Sequence, residues 1–223
     1  MIKKNPDAKK VVILGSWHKC LFTSSDRFPS SGETVVGDGY FETAGGKGAN
    51  QACGVGMYGG NCQLIQKLGD DEDGRLGIET FKEYGVDVEY VKLDKNESTG
   101  LALVMTNRDG ENSIIIIPGA HGNYKYEDID EAENAYKDAF LAGFVLETNL
   151  DVTEYAIKKA HALGVEIFLD PAPAQEIDPS IYQCLTWIKP NEHEASLMSG
   201  IDVVDKESAE KAAFWFREQG VKN

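Results

Sequence analysis

The 223-residue chain is poor in positive charge, in cysteine and in long apolar runs, and each shortage removes a class of function. Lys and Arg number 22 against 37 Asp and Glu, for a formal charge of −15 at pH 7. Such a field repels phosphate backbones and anionic lipid, which argues against nucleic acid and membrane surfaces as partners. The four cysteines, Cys20, Cys53, Cys62 and Cys184, lack CxxC spacing and lie in or beside apolar runs. They read as buried thiols rather than zinc ligands or disulfides. His18, His121, His161 and His193 have no metal-ligand spacing either. No apolar run approaches the length of a membrane span. The stretch 11–14 is too short for a signal-peptide core and no cleavage-like site follows it, so a cytoplasmic protein is expected.

What is present is 42% hydrophobic residues, enough for one large α/β domain with an appendage. The most informative stretch is Ala44-Gly45-Gly46-Lys47-Gly48-Ala49-Asn50-Gln51-Ala52. Its glycines let backbone N–H groups crowd an oxygen-rich ligand, and the helix that follows adds its own unpaired N–H donors. That suits a hydroxylated or phosphorylated small molecule, whereas the bland alternative is a tight packing corner. It is no Walker-type phosphate loop, because neither Ser nor Thr follows Lys47. Ala49, Ala52, Cys53 and Gly56 give the helix a nearly bald face suited to close approach to a sheet.

The remaining pattern alternates strand and helix. Strands are expected at 11–14, 63–65, 144–146, 165–169 and 187–189, and helices at 73–84, 126–140, 152–163 and 207–219. Two β-prone pieces stand apart: the irregular stretch 20–40, with Thr34-Val35-Val36, and 100–117, where Asp109-Gly110 marks a hairpin turn. Successive strand-helix units imply a doubly wound, mostly parallel sheet, with ligands at the C-terminal ends of its strands. Ser16, Glu147, Asp170 and the segment 189–194 fall at those ends. The separated β pieces are expected to form a small sheet over the domain. The solvated run 69–73 reads as a turn and helix start rather than a metal cluster.

Taken together, these residues resemble the ribokinase family, the carbohydrate and nucleoside kinases of the PfkB type. The marks are Gly15-Ser16, Pro29-x-x-Gly32-Glu33-Thr34, the glycine-lysine-asparagine turn at 45–50, Gly69-Asp70-Asp71, Ser98-Thr99-Gly100, Gly110-Glu111-Asn112, Asp170-Pro171-Ala172-Pro173-Ala174 and Pro190-Asn191-Glu192. The resemblance covers essentially all of residues 1–223. It implies a ribokinase-like α/β domain with a β lid formed by about 17–43 and 97–120, and ATP-dependent phosphorylation of a small sugar. It assigns Gly46, Lys47, Asn50 and Glu147 to the sugar, and Asn191 and Glu194 to the nucleotide side, with Glu194 an outer-shell contact to magnesium. ATP and Mg2+ are the implied cofactors, with K+ left open, and a homodimer through the lid is the implied assembly. The plainer roles are that Glu147 caps a helix starting near Asp151 and that Asn191 only organises its turn.

Two departures qualify the resemblance. Where the family places an asparagine and, two positions on, an aspartate that grips sugar hydroxyls, this chain has His18 and Cys20, so these two face the sugar and ribose itself is in doubt. His121 stands where Pro118-Gly119-Ala120 would commonly lead into asparagine. The family's glycine-rich segment with the catalytic aspartate and anion hole matches nothing up to Asn223, so no catalytic residue is assigned and the base is expected beyond this chain. Two other readings stay open: a nucleoside kinase of the same family, and a non-catalytic sugar-binding homologue.

Overall fold

The computed structural model describes residues 5–223. In chain order the elements are β1 (Lys10–Leu14), β2 (His18–Ser24), β3 (Gly39–Gly45), α1 (Lys47–Met57), β4 (Asn61–Gly69), α2 (Glu72–Glu83) and β5 (Asp87–Asp94). Next come β6 (Gly100–Thr106), β7 (Asn112–Ile117), a 3-10 turn (Gly119–Gly122), α3 (Tyr126–Glu131), α4 (Glu133–Tyr136) and β8 (Leu141–Val145). The last are α5 (Leu150–Ala162), β9 (Glu166–Asp170), α6 (Pro179–Tyr182), β10 (Trp187–Ile188), α7 (Glu192–Ser199) and α8 (Lys206–Glu218).

The unbroken apolar run of β1 marks a strand covered on both faces. Val12 and Leu14 enter one core cluster, with Phe144, Ile157, Ile167 and Leu169. Ile13 enters another, with Ala49, Ala52, Leu64, Leu68 and Phe81. The six-stranded sheet has the order β10-β9-β8-β1-β4-β5 and every pair in it is parallel. From β1 the chain builds outward through β4 and β5, then returns to β8 on the other flank, so the direction of winding reverses between β1 and β8. Carboxyl ends on either side of such a switch point leave a crevice.

The second sheet has the order β3-β2-β6-β7, antiparallel at both outer pairs and parallel between β2 and β6. Its own core is small: Cys20, Ala102 and Val104, with Phe22 against them. The β6–β7 hairpin turns at Gly110, whose φ of 80° fits the Asp-Gly signal.

Besides the short helices α6 and α7, which the expectation does not include, three stretches differ from it. Thr34-Val35-Val36 is no strand: the Arg27 guanidinium pairs with Glu33, Asp38 N–H takes the Ser24 carbonyl at 2.8 Å, and Val36 is 89% exposed. β-branched residues favour strands only where a neighbouring strand receives them. The expected helix 126–140 breaks into α3 and α4, which lets Ile129, Ala132, Ala135 and Tyr136 all reach the core before Asp138 turns the chain at φ 61°. β5 was not anticipated, because its polar, half-exposed residues mask a sheet edge.

The lid's return limb is tied to the body by one carboxylate. Asp71 caps α2 by accepting from Gly74 N–H at 2.8 Å, and also accepts from Thr99 N–H and the Thr99 hydroxyl, each at 2.7 Å. The Thr99 hydroxyl oxygen in turn accepts from Gly69 N–H at 3.0 Å. Burial raises the Asp71 pKa, but the donors from Thr99 and Gly74 outweigh it and hold the carboxyl below its ordinary value. Asp71→Ala is expected to cost about 2 kcal/mol, read as a lower urea midpoint at unchanged m-value. The carboxylate's contribution is complete above its ordinary pKa of 3.8 and fades as pH falls through the lower folded value, so the variant should lose part of the acid limb of the wild-type stability curve.

Candidate active site

At the switch point the sequence brings three polar groups together. Ser16 follows β1 and is fully buried, Glu147 follows β8, and α1 begins at Lys47 after the turn at Gly45-Gly46. Glu147 Oε2 accepts the Lys47 N–H at 2.7 Å and also the Ser16 hydroxyl. Gly46, the N-cap of α1, offers no side-chain cap, so the carboxylate comes from across the crevice to the positive end of the helix. Glu147 therefore does not cap α5, whose N-cap is Asn149. Glycine at 46 is required: its φ is 106°, and a Cβ there would lie 2.9 Å from Trp17 Cα.

Lys47 and Asn50 are exposed, three residues apart on α1, and so share a helix face at the end held by Glu147. The Asn50 N–H closes the first turn on the Gly46 carbonyl at 2.9 Å. One turn further in, Gln51 donates to Asp170 at 3.3 Å, and Lys189 lies 3.5 Å from the same carboxylate oxygen. Ser16 after β1, Glu147 after β8 and Asp170 at the end of β9 thus line one rim beside α1, and Lys189 after β10 joins it through Asp170. Gln51 was missed by the sequence reading, since nothing in its type or spacing separates it from a solvated helix position.

The lid brings His18 and Cys20 to the same neighbourhood. Both are buried, and the Cys20 thiol and the His18 ring occupy the space beside Gly45 where a side chain would otherwise sit. Burial lowers the His18 pKa, Glu147 opposes this and Lys47 adds to it; the net direction is down, toward the neutral imidazole. Burial raises the Cys20 pKa and Glu147 raises it further, so the thiol keeps its proton at neutral pH.

Asn191 and Glu194 lie at the start of α7, past β10. They form a reciprocal capping box: Asn191 Oδ1 accepts from Glu194 N–H at 2.8 Å and Glu194 Oε2 accepts from Asn191 N–H at 2.9 Å. The plainer role weighed for Asn191 is thus present, and the Asn191 amide nitrogen and Glu194 Oε1 remain outside the cap. Among the described residues no three acidic, His or Cys side chains form a group that could hold a metal ion. A lone Glu194 oxygen fits an outer-shell contact through retained water and no direct cage.

Residues 8–223 match the pfkB family of carbohydrate kinases. The chain belongs to this family. It is 34% identical to the ribokinase of Haemophilus influenzae over 215 residues, 96% of this chain and 70% of that protein. It is 32% identical to the deoxyribokinase of Salmonella typhi over 215 residues, again 96% of this chain and 70% of the relative. A structure of Arabidopsis thaliana ribokinase complexed with ribose and ATP superposes with a TM-score of 0.83 at 30% identity, covering 96% of this chain and 70% of that one. In this pfkB-family carbohydrate kinase, no helix among the described residues is long and apolar enough to cross a membrane.

The capping box separates two roles of Asn191. Asn191→Asp keeps the acceptor and is expected to leave stability within about 0.5 kcal/mol, whereas Asn191→Ala should cost about 1 kcal/mol, both read by urea unfolding. Equal losses in the two variants would show that the cap is not what Asn191 contributes.

Proposed function

We propose that this chain binds a small sugar in the crevice between α1 and Glu147, for ATP-dependent phosphorylation of one of its hydroxyls. The observation that carries the reading is the Glu147 carboxylate joined to the N-terminus of α1 at the switch point of the parallel sheet. A carboxylate accepts hydrogen bonds from several hydroxyls at once, and an asparagine and a lysine on the first turn of α1 supply donors, a combination matched to vicinal hydroxyls. In this reading Gly46, Lys47, Asn50 and Glu147 orient the sugar, and His18 and Cys20 close its roof. The family membership and the ribokinase and deoxyribokinase relatives support a sugar as substrate.

Asn191 and Glu194 lie on the nucleotide side in this reading, their outer atoms toward phosphate and hydrated magnesium; the nucleotide and its ion supply the phosphoryl group and neutralise its charge. This chain's residues hold the acceptor hydroxyl in place and shield it from water. The residues named here bind and orient the acceptor hydroxyl, and binding is what tests them.

The same reading includes a cytoplasmic homodimer. The lid face that carries Cys20 and Phe22 also carries Phe41, Ile114 and Ile116, which are 60%, 50% and 44% exposed, and a second copy would cover them.

Titration calorimetry with D-ribose is expected to show binding by the unaltered chain. Asn50→Ala should weaken it about tenfold with its unfolding midpoint preserved, Glu147→Gln should weaken it more and also lower the midpoint because α1 loses the charge at its start, and Cys20→Asp should strengthen it about tenfold by restoring a hydroxyl acceptor. An unchanged Kd in Asn50→Ala removes that residue from the site; no pentose binding removes the reading. For the assembly, sedimentation velocity should give a dimer that Ile114→Lys with Ile116→Lys converts to monomer. A monomeric unaltered chain refutes the lid interface.

A further inference from the structure

The lid joins the body at four chain crossings: residues 17–18 into β2, 45–46 out of β3, 99–100 into β6 and 117–118 out of β7. Two imidazoles reach the first three of them, and one of the two lies just past the fourth. His18 opens β2 and is paired in register with Gly45 on one side and Gly100 on the other. A Cβ on Gly45 would come within 3.3 Å of its Nε2. His121 sits on the 3-10 turn just past the last crossing and is 1% exposed. Its Nδ1 is 2.9 Å from the Trp17 carbonyl at the first crossing. At the third crossing a Cβ on Gly100 would lie 2.7 Å from its Cε1 and 2.9 Å from Nδ1. The His18 and His121 ring centroids are 5.9 Å apart.

A carbonyl only accepts, so the Trp17 contact puts the His121 proton on Nδ1 and leaves Nε2 a buried lone pair, without a partner in the structure. His18 Nδ1 is likewise buried and unpartnered. Burial takes His121 down to about 4, the Trp17 carbonyl opposing and His18 adding, so the ring is a neutral wedge at neutral pH. The charged groups acting on its neighbour His18 are Glu147 and Lys47.

We propose that His121 is a positioning residue: wedged between Trp17 and Gly100 at the lid root, it fixes the angle of the lid to the body and with it the place of His18 beside Gly45 and Glu147. Its effect on affinity rests on the sugar-binding reading above. Its effect on the lid does not. Asparagine at 121 could still donate to the Trp17 carbonyl but would vacate the ring's space against Gly100 and His18.

The test is amide hydrogen exchange by mass spectrometry on the full chain with His121→Asn, and with His121→Gln as a second variant. Segments of β2 and β6 should exchange at least about tenfold faster while β1 and β8 keep their protection. D-ribose should bind about tenfold more weakly, and the NMR titration midpoint of His18 should rise as its packing loosens. Lid exchange within about twofold of the unaltered protein, or equal acceleration in lid and body, overturns the proposal. Should neither variant fold, imidazole 15N shifts of the unaltered protein decide: protonation at Nδ1 supports the wedge, and protonation at Nε2 overturns it. Failure of the unaltered chain to bind any pentose strikes the sugar reading alone, because the exchange comparison still decides the role of His121.

Discussion

The contact between Glu147 and the first N–H of α1 is the constraint around which the rest of the molecule is arranged. It requires β1 and β8 to be neighbours, so that Ser16 and Glu147 emerge side by side, and it requires a backbone at Gly46 that few side chains could tolerate. A helix start without its own capping side chain leaves unpaired donors, and a carboxylate from another strand supplies what the local sequence omits. Helix dipole, sheet order and glycine turn therefore depend on one another. In the proposed function the ligand-facing chemistry is the surplus capacity of that same carboxylate, which has more acceptor positions than the hydrogen bonds from Ser16 and Lys47 fill.

Much of this was legible in the residues. The apolar run of β1, the stops at Gly85 and Gly164 with positive φ, and the hairpin at Gly110 are local signals whose physics does not depend on the rest of the chain. Glu147 was found as a carboxylate at a strand end, and the glycine-lysine-asparagine turn by its composition. What stayed hidden was set by partners distant in sequence. Nothing near Thr34-Val35-Val36 says that no strand will be available to receive it. Nothing near Gln51 announces Asp170, and β5 carries too little apolar alternation to be read as a strand. His121 was seen only as a departure from a pattern, because its meaning lies in Trp17 and Gly100, which the chain brings to it from 104 residues away in one case.

The same division holds between body and lid. The body has two well-filled clusters on either side of its sheet, whereas the apolar cluster of the lid holds three buried residues and a half-buried phenylalanine. A sheet with so little interior borrows its order from its attachments: the Asp71–Thr99 clamp on one limb and the buried imidazoles at the root. One face of the lid serves throughout, since His18 and Cys20 at its root and Phe22 further along β2 alternate to the same side of the sheet.

The parallel pairing of β2 with β6 carries a kinetic meaning. Residue 18 is aligned with residue 100 and residue 24 with residue 106, and between them the chain must complete β3, α1, β4, α2 and β5. Closing so long a loop is entropically costly until the intervening segment is itself compact. The central ladder of the lid is thus the pairing of highest contact order in its sheet, and a compact intervening half of the body is what lowers the entropic cost of closing it.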